Sequence, residues 1–323
     1  MNFFSKDDKG MPVSKEVANA NLENYIWKVS SFLPFNHNDR IKYFVENMDK
    51  QTLYSTEYYT KLMNFIILEN NVDYVLERYI KFLEKVITLL YISNSRTVSK
   101  NVNIFTTNYD LFIERSLDLL MKNDNFIFND GSNGYFYKVL DRSNYNKSVA
   151  YRGLNENYLN ELPTISLIKP HGSMNWEKDE NNQILIRACA VNHPVVVRPT
   201  GLEGQETYLN NHFHDMLRVF QLELDKPQSV LIVVGFSFQD DHIAKMIRRA
   251  LKNPELMIYI FCYADSDFDV IKKNLSLDNI PRNLQIVTPS DFKAKDKNNL
   301  HTSGNFDINS LTKLLIIEGE DAK

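Results

Sequence analysis

The hydrophobic pattern changes period abruptly in one stretch, Asn101 to Leu120, NVNIFTTNYDLFIERSLDLL. Val102, Ile104 and Phe105 read as a short buried strand, while Leu111, Phe112, Ser116, Leu119 and Leu120 fall on one face of a helix. Between them lie Thr106, Thr107, Asn108, Tyr109 and Asp110. A strand that enters a helix through such a turn presents polar side chains at the carboxyl edge of a parallel sheet, where open α/β folds bind ligands. Asn108 and Asp110 are therefore site candidates. The plainer alternative is that Thr107, Asn108 or Asp110 caps the helix by accepting a bond from an unpaired backbone N–H.

Upstream, Gly10-Met11-Pro12 makes a turn before a helical stretch from Ser14 to Ser30, and the pattern stays helical to about Tyr91. Val72, Val75, Leu76, Tyr79, Ile80, Leu83, Val86, Ile87 and Leu90 hold spacings of three and four. Residues 14–92 thus form a large helical insertion or cap. Its aromatics, Tyr58, Tyr59, Phe65, Tyr79 and Phe82 among them, read as packing, since basic residues do not alternate with them as a stacking groove for nucleic acid requires.

Downstream, Phe126 to Phe128 reads as a short strand, Asp130 to Gly134 as a turn, and the Asn-rich sequence to about Asn160 as a surface excursion. Thr164 to Ile168 is a strand ending in Lys169-Pro170-His171-Gly172-Ser173, with further short strands at Ile184 to Ile186 and Val195 to Val197. Pro199 to Glu206 reads as a loop and Tyr208 to Leu224 as an amphipathic helix. Strand and helix then alternate in the manner of a parallel sheet. Val230 to Val234 is uninterrupted and apolar, as expected when both faces are covered, and a helix follows to about Lys252. Met257 to Tyr263 and Leu284 to Val287 are two more strands, the first followed by a helix to about Lys273, and Ser310 to Ile317 reads as a closing helix.

Composition narrows the classes. With 37 basic and 41 acidic residues in 323 the net charge is −4, which calls for no polyanionic partner, so direct nucleic-acid binding is not expected. Two cysteines, Cys189 and Cys262, each within an apolar run, cannot supply a four-cysteine zinc site and read as buried thiols; no metal is expected. The opening MNFFSKDDKG has no apolar segment of signal-peptide length, and no apolar run approaches the ~20 residues that cross a bilayer. These features predict a soluble cytoplasmic protein.

Four strand-to-turn junctions carry polar residues suited to chemistry: Asn108 with Asp110, His171, Ser237 with Asp241, and Asp265. Such repetition is what a doubly wound sheet with a ligand across its carboxyl edge produces. His171, between Pro170 and Gly172, is either a general base near neutral pH or a structural histidine bonded to backbone.

Phe105-Thr106-Thr107-Asn108-Tyr109-Asp110 resembles the sirtuin Thr-Gln-Asn-Ile-Asp signature, and Lys169-Pro170-His171-Gly172-Ser173 resembles its His-Gly element. Val234-Gly235-Phe236-Ser237-Phe238-Gln239-Asp240-Asp241-His242-Ile243 resembles its Gly-Thr-Ser turn and is closer to the sirtuin-like domains of bacterial antiphage defence than to the deacylases. The resemblance spans about Asn101 to Asp267 and rests on the order and spacing of the three motifs. It implies a Rossmann-like, sirtuin-type α/β fold, a parallel sheet with helices on both faces, in one domain over 1–323 with its sheet core at 101–290. It also implies hydrolysis of NAD to nicotinamide and ADP-ribose, depleting an infected cell. In that reading Asn108 holds the nicotinamide ribose and the attacking water, Asp110 contacts the carboxamide of the leaving base, and His171 accepts a proton. Ser5, Thr107, Gly172, Gly235 and Ser237 would approach the substrate, and Asp265 would accept from ribose hydroxyls. A homo-oligomer working with a HerA-like ATPase is the partnership the resemblance suggests.

Two departures from the sirtuin pattern stand out. The Gly-Ala-Gly-x-Ser loop that cradles the diphosphate is represented only by Ser5 and Gly10-Met11-Pro12, so either the chain extends upstream or this form has lost part of its phosphate grip. The four-cysteine zinc module of the deacylases is missing, which disfavours a deacylase. Asp240 and Asp241 read as helix-start residues whose carboxylates make that turn a poor diphosphate site. A non-catalytic scaffold or sensor that binds NAD or ADP-ribose is the alternative from a different class.

Overall fold

The computed structural model describes residues 72–92, 100–152, 159–191, 194–197, 211–291 and 305–315. The chain is α/β, with parallel strands alternating with helices. Helix α1, Val72–Ile92, buries Val75, Leu83, Val86, Ile87 and Leu90, the stripe that its spacings of three and four dictate. The rest of the helical stretch expected over 14–92, with Tyr58, Tyr59 and Phe65, lies outside the described residues, as does the loop expected over 199–206.

Strand β1, Asn101–Phe105, leads through the polar turn into α2, Phe112–Leu120. The buried face of α2 is Phe112, Ser116, Leu117 and Leu120; Leu119, expected inside, is exposed, because the core lies one residue further round the helix. α2 and α1 close a core with Phe126 and Ile165, and Tyr79 stacks on Phe112 at 5.7 Å and 4°. β2, Ile127–Asn129, and β7, Thr164–Ile168, complete a parallel sheet in the order β1-β7-β2, with Phe105 opposite Ile168. Every residue of β7 is buried, as suits the central strand.

Between β2 and β7 the Asn-rich sequence is more structured than a surface excursion. It forms β3, Ser132–Asn133; β4, Val139–Leu140; a 3-10 turn, Arg142–Asn146; and β5, Ala150–Arg152, which pairs with β6, Leu159–Glu161. β3 and β4 join β8, Trp176–Lys178, and β9, Ile184–Ile186, in an antiparallel sheet. Asn144 is buried there because its side-chain amide donates to the Gly131 carbonyl and its own carbonyl accepts from Asn129. The strand expected at 195–197 is reduced to one bridge, Val196 to Gly172.

The second half begins with α3, Asn211–Leu224, and alternates β10, Val230–Val234; α4, Asp241–Ala250; β11, Met257–Phe261; α5, Asp267–Asn274; and β12, Leu284–Val287. α6, Ile308–Leu314, is held to α1 by the Arg78–Asp307 ion pair at 3.4 Å. The sheet is parallel in the order β10-β11-β12, a ladder separate from that of β1 among the described residues. Both faces of β10 were expected to be covered, yet Val230 is 62 % and Ile232 48 % exposed. Leu231 and Val233 pack on the core while the alternate residues face away from it, and no described element covers that side. Phe105 at the end of β1 meets Phe220 of α3 at 4.7 Å, joining the two halves.

Cys262 is buried and its thiol is pushed up to about 12, chiefly by burial. Cys189 is exposed, a correction to the expectation of two buried thiols: it follows β9 in a turn whose buried neighbours lie elsewhere. Among the described residues no helix is long and apolar enough to cross a membrane.

Candidate functional site

The pairing of β1 with β7 fixes the site. Phe105 and Ile168 are register partners, so the turns that follow leave the sheet side by side, with Asn108 and His171 each three residues beyond the paired ends. The Thr106 N–H still donates to the Ile168 carbonyl at 3.1 Å. Further on, the Tyr109 carbonyl accepts from Met174 N–H at 3.0 Å and from the Ser173 hydroxyl at 3.5 Å. The Tyr109 hydroxyl donates to the Val197 carbonyl.

Lys169 binds the two turns together. Its buried ammonium donates to the Asp110 carbonyl, to Ser173 Oγ at 3.0 Å, and pairs with Glu114 Oε1 at 2.6 Å. Burial pushes the carboxyls of both Asp110 and Glu114 upward, against the pull of Lys169. Glu114 Oε2 is buried without a hydrogen-bond partner among the described residues. Burial, reinforced by Asp110 and Glu114, also raises the phenol of Tyr79, which brings α1 to the edge of the site.

Each residue singled out in the sequence can now be placed. Asn108 donates its backbone N–H to Thr106 Oγ1 at 3.1 Å, and its carboxamide has no hydrogen-bond partner among the described residues. Asp110 Oδ1 accepts from Phe112 N–H at 3.1 Å, a turn bond at the entry to α2, whose cap position is Leu111 and carries no side-chain cap bond. Thr107 is half-buried beside Asn108. Gly172 has φ +87°, and a Cβ there would lie 2.1 Å from the Val195 carbonyl oxygen. The 195–197 segment presses on this turn, with Val197 N–H donating to the His171 carbonyl at 2.8 Å.

Gly235 and Ser237 are brought to the carboxyl edge of β10, in the other ladder. Gly235 has φ +68° with open space where a Cβ would be, and Ser237 is exposed with its carbonyl accepting from Asn274 at 2.8 Å. Asp265, beyond β11, is tied to Ser290: its carboxylate accepts from Ser290 N–H at 2.9 Å and from the hydroxyl at 2.6 Å. Asp240 occupies the cap of α4, but its side chain makes no cap hydrogen bond. Asp241, in the first turn, pairs with Lys245 at 2.6 Å, and that hydrogen bond holds its carboxyl below the usual range. Ser5 lies outside the described residues.

His171 is buried, and its Nε2 lies 3.3 Å from Nε2 of His242, the second residue of α4. Desolvation, then the charge of His242, lowers the His171 imidazole to about 3, so the ring is neutral at pH 7. His242 thus carries the second half of the molecule to the first.

Three residues of this arrangement were not singled out as site residues from the sequence: Lys169, Glu114 and His242. The available signals were a lysine directly after an apolar strand, a glutamate one turn after Asp110, and a histidine beside the buried stripe Ile243, Ala244 and Ile247. Among the described residues, no group of three or more His, Cys, Asp or Glu is arranged to hold a metal.

No curated protein matches the chain. The model of the SIR2-like domain matches residues 102–281, more than half of the 323, so the chain belongs to the SIR2-like domain family, whose members use NAD as substrate.

Proposed function

We propose that the chain is an NAD glycohydrolase that releases nicotinamide and ADP-ribose and acts in antiphage defence by depleting NAD. The observation that carries this reading is the in-register departure of the Asn108 and His171 turns from neighbouring strands, with a carboxamide that has no hydrogen-bond partner among the described residues on one and a neutral imidazole on the other. In the reaction the bond between the ribose anomeric carbon and the pyridinium nitrogen breaks, and its electron pair neutralises the leaving nicotinamide. Water adds to the resulting oxocarbenium-like carbon and gives a proton to His171. Asn108 orients the ribose and that water, and the oxygen dipoles of the turn stabilise the positive sugar. Asp110 contacts the carboxamide of the base, its carboxyl pushed upward by burial against the pull of Lys169. Open space above Gly235 admits the adenosine half.

The test is nicotinamide release from NAD by the purified full-length chain. His171→Ala and Asn108→Ala should each lower it by about 10²–10⁴-fold; equal slow release by all three proteins discards the assignment. With an acylated peptide present, a deacylase yields acyl-ADP-ribose and the glycohydrolase plain ADP-ribose.

The second reading is a non-catalytic NAD or ADP-ribose sensor, favoured by the sirtuin glycine loop being represented only by Ser5 and Gly10-Met11-Pro12. ADP-ribose binding by calorimetry without NAD turnover would select that reading. Assembly into a homo-oligomer with a HerA-like ATPase is part of the same proposal, tested by the mass of the purified complex with and without such an ATPase.

A further inference from the structure

We propose that His242 is a positioning residue that holds His171 in its Nε2–H tautomer, leaving Nδ1 of His171 as the basic atom of the site. The choice of tautomer and its consequence for catalysis both rest on the glycohydrolase reading; the contact between the two rings does not. The two rings arrive from different halves of the molecule, one from the turn after β7 and one from the first turn of α4, with centroids 5.4 Å apart and planes inclined by 39°.

Neither ring is free to move away. His171 is held between buried Pro170 and Gly172, and its carbonyl is bonded to Val197. His242 is buried beside Ile243, Ala244 and Ile247, which anchor α4 in the core. Of the charged residues that flank the pair in sequence, Lys169 pairs with Glu114, and Asp241 pairs with Lys245 and Arg248 and is also coupled electrostatically to His242.

A 3.3 Å contact between two imidazole nitrogens needs one N–H and one lone pair. If His171 Nε2 accepted, the proton of its neutral ring would sit on Nδ1, and its only lone pair would be occupied by His242. No basic atom would then remain. If His171 Nε2–H donates, Nδ1 keeps a free lone pair and His242 supplies the accepting nitrogen, with its own proton on Nδ1. Only this second arrangement leaves His171 a base. When water or a ribose hydroxyl gives its proton to His171 Nδ1, the ring becomes cationic while Nε2–H stays in place. Its bond to the neutral His242 becomes charge-assisted and shorter. His242 orients the base through the nitrogen that does not take the proton, and gains or loses none itself.

The experiment is two-bond ¹H–¹⁵N correlation on the full chain labelled with ¹⁵N-histidine, its seven histidines assigned with His171→Asn and His242→Gln variants. At neutral pH His171 should show a protonated Nε2 and a bare Nδ1, and His242 the reverse. A protonated Nδ1 on His171, or averaging of both tautomers as in free imidazole, overturns the proposal. Kinetics supply the second arm. His242→Leu should lower kcat about 10–100-fold with KM changed less than about threefold, by analogy with the loss of a partner that orients a metal-bound histidine. His242→Gln, whose amide oxygen accepts from Nε2–H, should recover most of that loss. A fully active His242→Leu overturns the proposal. Should that variant not fold, the wild-type spectrum decides. Absence of nicotinamide release by the wild type would sink the functional reading, with the tautomer still judged by its spectrum.

Discussion

The two parallel ladders treat their carboxyl edges in opposite ways. After β1 and β7 the turns are stitched to each other by main-chain hydrogen bonds, by the Tyr109 hydroxyl and by the buried Lys169–Glu114 pair. After β10 the turn is more open: Gly235 and Ser237 are exposed and Asn274 holds the Ser237 carbonyl, although Phe238 anchors the turn in the core. Chemistry at a sugar carbon needs groups fixed to within a fraction of an ångström, whereas admitting a long dinucleotide needs open surface. On the proposed glycohydrolase reading the first ladder serves positioning and the second access, with His242 reaching from the open half into the fixed one.

The comparison is broken most severely at Lys169. Removing the ammonium in Lys169→Met leaves the Glu114 carboxylate buried without its cation, which should destabilise the fold by about 3–5 kcal/mol in urea denaturation. The double variant Lys169→Met/Glu114→Gln should recover part of that stability, because the uncompensated charge is gone. A single variant as stable as wild type would mean the two turns do not depend on their clamp. Next comes Gly172→Ala. It combines a strained φ of +87° with a Cβ at 2.1 Å from the Val195 carbonyl oxygen, a loss of about 2–4 kcal/mol in the same assay.

Much of the positioning half is legible in the sequence because its elements are apolar runs bounded by turn residues. Asn101–Phe105 and Thr164–Ile168 are strands for that reason, as Leu284–Val287 is in the other half, and the stripe of α1 follows from its spacing. The turn residues Asn108, Asp110 and His171 are also legible, since their place after strands assigns them to a sheet edge. Periodicity does not carry which polar groups turn inward. Asn144 looks like surface until the Gly131 carbonyl is seen to need a donor, and Lys169 looks like surface until Glu114 supplies its counter-charge. Two-residue strands such as β3 and β4 are too short to have a period. The exposed face of β10 is equally hidden, because a continuous apolar run looks the same whether one face or both are covered.

A smaller effect concerns pH. The folded His171 is held near 3, below the ordinary 6.5, so from pH 6.5 downward the unfolded chain takes up a proton that the folded chain refuses. This stability is fully present above pH 6.5 and is lost progressively toward pH 3. From pH 7 to 5 the wild type should therefore lose about 2 kcal/mol more than His171→Asn does. Asp110 and Glu114, whose carboxyls are raised, act in the opposite direction and are common to both proteins, so they cancel in the difference. Parallel slopes for the two proteins would show that His171 is not desolvated. For the same reason kcat/KM for NAD should not fall on acidification near 6.5, where an ordinary histidine base would lose it.

The smallest effect on stability and the sharpest contrast come from repeating the glycine substitution in the open half. Gly235→Ala shares a positive φ with Gly172→Ala, but its Cβ meets nothing within 4 Å, so only the backbone penalty of about 1 kcal/mol remains. If that open space admits the substrate, the added methyl acts on binding more than on folding. KM for NAD should rise several-fold while kcat, set by the first ladder, stays within about twofold, a separation that reports ground-state binding. A loss of kcat at unchanged KM would place Gly235 with the positioning half, and the division between a fixed edge and an open one would fail at the residue where it is most exposed.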